Sequence, residues 1–348
     1  MIRPSDIASF SAEVAPHKAV LSEAGWLFLI NDTNDFLRVY FGLDTWKAEQ
    51  EAKAIQVILD RTEALRRRSI PYVKFIVPEK PVVYPEYLPV ALRPLPRAVR
   101  RPAHVLAAGA PSAVSYLDRY LESAKGLGHL YFRGDTHTNW LGSWLVYRFI
   151  IHRFRELGLP LEGYGLDLAH LEPNLATYEG DLPPHLSEKD AVGLRQRFGF
   201  ACPPTGLEHT VLYRIPDPLR QTERVRTPAD YEQWYDTRET FVFERRDGLG
   251  PTAVVFRDST FDRGVMELVA EHFARSVFVW HSGLVDESVL DRERPHVVMH
   301  SMAERFVTRY PSFPPLHQAA AVSSAQAQIK GCHMALEGAR DAQNGGPG

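Results

Sequence analysis

Cysteine is nearly missing. Cys202 and Cys332 are the two in 348 residues, far apart and outside any C-x-x-C spacing, so neither a disulfide framework nor a cysteine zinc site organises the fold. Long apolar runs are missing as well. None approaches the ~20 residues of a membrane-spanning helix, and the opening stretch "MIRPSDIASFSAEVAPHKAV" holds no apolar leader segment. The expectation is a cytoplasmic protein as the sequence stands, or a periplasmic one if a leader has been removed. A charge excess is missing too: 40 basic residues face 43 acidic ones, a net charge of −3, so the surface gives no general reason to expect nucleic acid. Internal repeats are not apparent.

What is there is a chain of ordinary globular composition, 45% hydrophobic and 24% charged, long enough to bury a large core. "GWLFLI" (25–30), "YVKFIV" (72–77), "HLYF" (129–132), "TAVVF" (252–256), "SVFVW" (276–280) and "HVVMH" (296–300) read as strands. Helices fall between them. One runs from Asp44 or Thr45 to about residue 70, with Ala48, Ala52, Ile55 and Leu59 along one face and Ile58 and Leu65 at its edge. Others cover 112–128, the amphipathic stretch from Asn139, "FDRGVMELVAEHFA" and "SMAERFVTRY". Strands separated by helices imply right-handed crossovers and a mostly parallel sheet covered on both faces, an α/β fold of three layers. The proline-rich stretch 158–250, with strands at "HTVLYRI" and "TFVFER", reads as an accessory insertion in a catalytic domain spanning 1–317. The alanine- and glycine-rich tail 318–348 is expected to be partly disordered.

Chemistry gathers at the carboxyl ends of parallel strands. "RGDTHTNWLG" places Asp135 and His137 two apart just after a strand. In extended backbone their side chains lean the same way, so the carboxylate can take the imidazole Nδ1–H and leave Nε2 as a base. Such a dyad needs a nucleophile, and "VVFRDSTFDRG" offers Ser259, past one strand and before a helix, where its own N–H can also stabilise an oxyanion.

These segments resemble the SGNH hydrolase-like domains of the alginate O-acetyltransferases, enzymes of exopolysaccharide acetylation. The likeness runs from "GWLFL" through "VPEKPVVYPEYLP", "YFRGDTHTNWLG" and "VVFRDSTFDRG" to "RPHVVMHSMAER", about residues 25–310. It implies a three-layer SGNH-like fold, a triad of Asp135, His137 and Ser259, and transfer of an acyl group, an acetyl above all, to a carbohydrate hydroxyl. Chain order does not matter to a triad, which geometry defines. The resemblance also implies an acyl donor and a membrane-bound acyl-donating partner, but no cofactor and no metal. The family's tryptophan directly after the histidine is displaced here to Trp140, and its glycine two before the serine is replaced by Arg257.

Around the site, Trp140, Asn139, Tyr84, Lys80, His281 and Arg257 are candidates for contact with substrate, with Asn139 a candidate second oxyanion donor. Glu304 and Arg305 suit an ion pair or a loop anchor, and the arginines of "RPLPRAVRR" (93–101) a solvated surface loop. His296 and His300 share a strand face but lack a third metal ligand at a recognisable spacing. The same triad with water as acceptor makes a carbohydrate esterase, and the same fold without turnover makes a glycan-binding module.

Overall fold

The computed structural model describes residues 7, 9–10, 17–32, 34–161, 165–198, 207–228, 231, 240–262, 264–281 and 283–316. Its centre is a seven-stranded sheet built from β3 (Tyr72–Val77), β4 (Val114–Tyr116), β7 (Thr222–Val225), β8 (Phe241–Arg245), β9 (Thr252–Arg257), β10 (Arg275–Trp280) and β11 (Val297–Ala303) in the order β4-β3-β11-β9-β10-β8-β7. The first five strands are parallel, and β8 runs antiparallel to both β10 and β7. β3 and β11 are buried along their whole lengths, as strands covered on both faces must be.

Alternate residues of these strands enter two separate cores. Val73, Phe75, Val255, Phe278 and Met299 face α3 (Trp140–Glu156) and α5 (Val265–Ala270). Tyr72, Ile76, Val254, Phe256 and Met302 face α1 (Ala48–Arg67), α2 (Pro102–Gly109) and α6 (Glu287–Glu293). This is the expected three-layer α/β fold, with the period-2 alternation of the strands dividing its two cores.

Several local expectations differ from the structure. The buried stripe of α1 runs through Ala54, Ile58, Arg61 and Leu65, while Leu59 is exposed. A buried arginine sits in that stripe, so reading apolar residues alone rotates the face. Residues 112–128 are not one helix: β4 opens the stretch, a helix covers only Asp118–Ser123, and a 3₁₀ turn follows over Ala124–Leu127. "HLYF" is not a sheet strand. It folds back on its own continuation through an antiparallel bridge between Tyr131 and Thr138, and the sheet ends at β4. The helix after Ser259 is short, with a 3₁₀ turn over Ser259–Phe261 preceding α5, and residues 301–303 continue β11 before a 3₁₀ helix over Glu304–Ser312.

The segment 158–250 divides in two. β5 (Glu172–Glu179) and β6 (Leu207–Arg214) pair antiparallel outside the main sheet, whereas β7 and β8 extend its edge. "GWLFLI" holds β2 (Leu27–Leu29), which pairs with β1 (Ala19–Leu21) in a small ribbon. α4 (Glu188–Phe198) packs against that ribbon. The tail from 318 lies outside the described residues. Among those described, no helix is long and apolar enough to cross a membrane.

Candidate active site

Asp135 and His137 occupy the loop that the Tyr131–Thr138 bridge closes. Phe132 N donates to His137 O at 3.3 Å and Asn139 N to Leu130 O at 2.9 Å, so a tight turn projects residues 133–137 beyond the sheet. Within it Asp135 Oδ1 accepts from His137 Nδ1 at 2.5 Å and from His137 N at 2.7 Å. Asp135 is fully buried. Burial opposes its ionisation, and the hydrogen bond and charge of His137, with the Tyr178 hydroxyl, override that and hold the carboxyl well below the usual carboxylate range. His137 Nε2 is buried and has no hydrogen-bond partner among the described residues. With Nδ1–H given to Asp135, that nitrogen carries the free lone pair of the imidazole.

Ser259 opens the 3₁₀ turn that ends β9. Asp258 pins this turn: its Oδ1 accepts from Thr260 N at 2.9 Å and its Oδ2 from Ala303 N, on the neighbouring strand, at 2.7 Å. From there a run of polar contacts follows the carboxyl edge of the sheet. Arg305, after β11, donates to both oxygens of Glu79 at 3.0 and 2.9 Å. Lys80, the next residue after Glu79, donates to Phe132 O and Arg133 O at 3.0 Å each. Ser259 and the Asp135–His137 loop therefore belong to one edge, joined through β11 and β3. The serine hydroxyl is not hydrogen-bonded to His137 Nε2 in this structure.

The candidate substrate contacts separate on inspection. Tyr84 is 2% exposed, lies against Trp26 and Tyr87, and accepts from Leu130 N at 2.8 Å. It is part of the core, not of an acceptor groove. Lys80 is buried as well, braced under the dyad loop. Asn139 caps α3, with its side-chain oxygen taking Gly142 N at 3.0 Å and its amide giving to His129 O at 2.6 Å. Arg257 is 1% exposed, paired with Asp262 and lying over the Phe241 and Trp280 rings. It ties the end of β9 to Asp262, just past the Ser259 turn. His281 Nδ1 accepts from Gly283 N at 3.1 Å and Leu284 N at 2.7 Å, capping the turn after β10.

Trp140 alone of that set stands half-buried next to both loops. Its indole ring lies at the edge of Phe132 and under Gly264, where a Cβ would come 3.3 Å from Cε3 and Cζ3. Its buried Nε1 has no hydrogen-bond partner among the described residues.

Elsewhere, Glu304 pairs with Arg101 at 2.7 Å and accepts from Tyr116 at 2.6 Å. Arg101 is thus a buried anchor and not part of a solvated loop. His300 is buried among Arg61, Tyr72 and Tyr310, whereas His296 is exposed and accepts from Thr252.

Two residues beside the dyad were not identified from sequence. Tyr178 donates to Asp135 Oδ2 at 2.8 Å, and Asp181 accepts from Thr136 N at 2.8 Å. They lie more than forty positions downstream in the accessory segment, where nothing local marks them. Asp135, His137 and Asp181 bring three ligand-type atoms within 4.8 Å of one another, two of them joined in the 2.5 Å hydrogen bond.

Comparison with known proteins shows the family and the fold. Residues 19–196, just over half of the chain, match the family described as the SGNH hydrolase-like domain, acetyltransferase AlgX. Among solved structures, PatB1 of Bacillus cereus superposes with a TM-score of 0.57 at 15% identity, over 83% of this chain and 96% of that one. The O-acetyltransferase domain of Pseudomonas putida AlgJ superposes with a TM-score of 0.51 at 18% identity, over 83% and 92%. A DHHW family protein from Eubacterium siraeum gives 0.52 at 13%, over 86% and 95%. At these identities the superpositions speak to the fold. No curated protein matches the chain by sequence.

Proposed function

The chain belongs to the SGNH hydrolase-like acetyltransferase family of AlgX, and on that premise we propose that Asp135, His137 and Ser259 form a triad that moves an acetyl group from a donor ester to a carbohydrate hydroxyl. One observation carries the assignment of the base: Asp135 holds the Nδ1–H of His137 at 2.5 Å while Nε2 is left without a partner among the described residues.

Ser259 Oγ attacks the donor carbonyl as its proton passes to His137 Nε2, and the imidazolium is stabilised by the Asp135 carboxylate. The oxyanion is met by the Ser259 N–H at the start of its turn. Collapse of the tetrahedral species expels the donor alcohol, which takes the proton from Nε2 and leaves acetyl-Ser259. A sugar hydroxyl then gives its proton to Nε2 and attacks the acyl carbon, and collapse returns the proton to Ser259. Closure of the serine–histidine contact goes with donor binding, since catalytic hydrogen bonds tighten in the reacting complex.

The test uses an activated acetyl ester and a panel of neutral and acidic oligosaccharides, with both products followed by mass spectrometry. Ser259→Ala and His137→Ala should each remove most turnover, and the double variant should be little worse, because members of a triad act as a unit. Wild-type turnover by Ser259→Ala would exclude that nucleophile. Hydrolysis with no acetylated sugar, across the whole panel, would turn the reading to an esterase.

A further inference from the structure

Among the described residues, the accessory segment meets the dyad loop at the stretch 178–182. Tyr178, near the end of β5, donates its hydroxyl to Asp135 Oδ2 at 2.8 Å, and its ring stacks on Phe132 with centroids 4.1 Å apart. Asp181 N donates to the same carboxylate oxygen at 3.1 Å, and Leu182 N to Gly134 O at 3.2 Å. In return, the Asp181 carboxylate accepts from Thr136 N at 2.8 Å and from Thr136 Oγ1 at 2.6 Å. The two stretches touch at Gly180, where a Cβ would lie 1.9 Å from Gly134 O. No side chain larger than hydrogen fits there without parting them.

This strap divides the work of the Asp135 carboxylate. Oδ1 takes the backbone N–H and the Nδ1–H of His137, and Oδ2 is held from outside the loop by Tyr178 and Asp181 N. A carboxylate gripped at one oxygen only can swing about its Cβ–Cγ bond. Gripped at both, it keeps Oδ1 on Nδ1 and so keeps the imidazole in one tautomer and one orientation. We propose that Tyr178 is a positioning residue of the Asp135–His137 dyad, supplied by strand β5, which makes the accessory segment a working part of the site. This rests on the reading of His137 as the base of the acyl transfer.

The experiment uses the full chain with wild type, Tyr178→Phe, Gly180→Ala and His137→Ala, and reads kcat and KM for the acetyl ester together with the proton resonance of the His137 Nδ1–H, identified by its absence from His137→Ala. Tyr178→Phe keeps the ring on Phe132 and removes only the donor. It should lower kcat about tenfold, the scale of one hydrogen bond to a charged group, leave KM within about twofold, and shift or broaden the Nδ1–H resonance. Gly180→Ala, which wedges the strap away from Gly134, should reproduce both changes with the hydroxyl intact. Wild-type kcat and an unmoved resonance in Tyr178→Phe would overturn the proposal, whatever the variant does to stability. Full turnover by His137→Ala would instead overturn the reading of the dyad as the base, and the resonance in Tyr178→Phe would still decide whether the tyrosine orients Asp135.

Discussion

At the scale of single residues, backbone positions help to hold the site. Gly264 shows this beside the nucleophile turn. It sits at φ 89° and ψ −12°, left-handed backbone, with the Trp140 ring directly beneath it. Any Cβ there adds the left-handed penalty to a tight contact, so Gly264→Ala should lose roughly 1–2 kcal/mol of stability from backbone alone. Thermal unfolding would measure this, and a destabilisation well below that range would mean the turn relaxes freely. Because Trp140 leads α3 out of the dyad loop, the same substitution should also depress turnover by disturbing the packing between the two loops of the site.

Within the strands, the notable feature is a buried amine. Lys74 lies in the middle of β3, is 0% exposed, has no hydrogen-bond partner for Nζ among the described residues, and stands over the Tyr310 ring at 4.5 Å. Burial is the main cause that pushes its amine well below its ordinary pKa of 10.5, and the nearby Arg61 guanidinium adds to it. The sign follows directly. Between the lowered folded value and 10.5 the unfolded chain binds the proton and the native chain does not, so stability rises with pH across that window and falls as pH drops through it. Lys74→Met fills similar volume without a titratable group. It should raise the melting temperature at neutral pH and flatten this pH dependence, which unfolding curves at several pH values would test. An unchanged slope would show that another group sets it.

Across the whole molecule, buried ion pairs fasten the layers together. Arg101, 2% exposed at the start of α2, meets Glu304 beyond β11 and Tyr116 on β4. Arg101→Met would leave the Glu304 carboxylate buried without its cation, a loss of about 3–5 kcal/mol by the measure of broken buried pairs. Urea unfolding should show it as a lower midpoint with an unchanged slope. A loss under 1 kcal/mol would mean that water or another group replaces the guanidinium.

What the sequence determined by itself was whatever is written locally. β3, β9 and β10 were legible because a strand buried on both faces must be a short β-rich apolar run, and the length of α3 because its amphipathic period persists for four turns. The pairing of Asp135 with His137 was legible for the same reason, since two residues in one turn need no distant partner. The tertiary structure alone decided everything that depends on what is brought alongside. It put a buried arginine in the apolar stripe of α1, folded "HLYF" back on its own continuation, and turned β7 and β8 of the accessory stretch into part of the central sheet. It placed Tyr84, Asn139 and Arg257 in packing, capping and ion pairing, although each follows or precedes a strand end as a substrate contact would. It also brought Tyr178 and Asp181 to the dyad across more than forty residues. The physical reason is common to all of these: periodicity and turn chemistry report how a residue sits relative to its neighbours in the chain, whereas a hydrogen bond or an ion pair is set by elements that fold together only once the sheet has chosen its order.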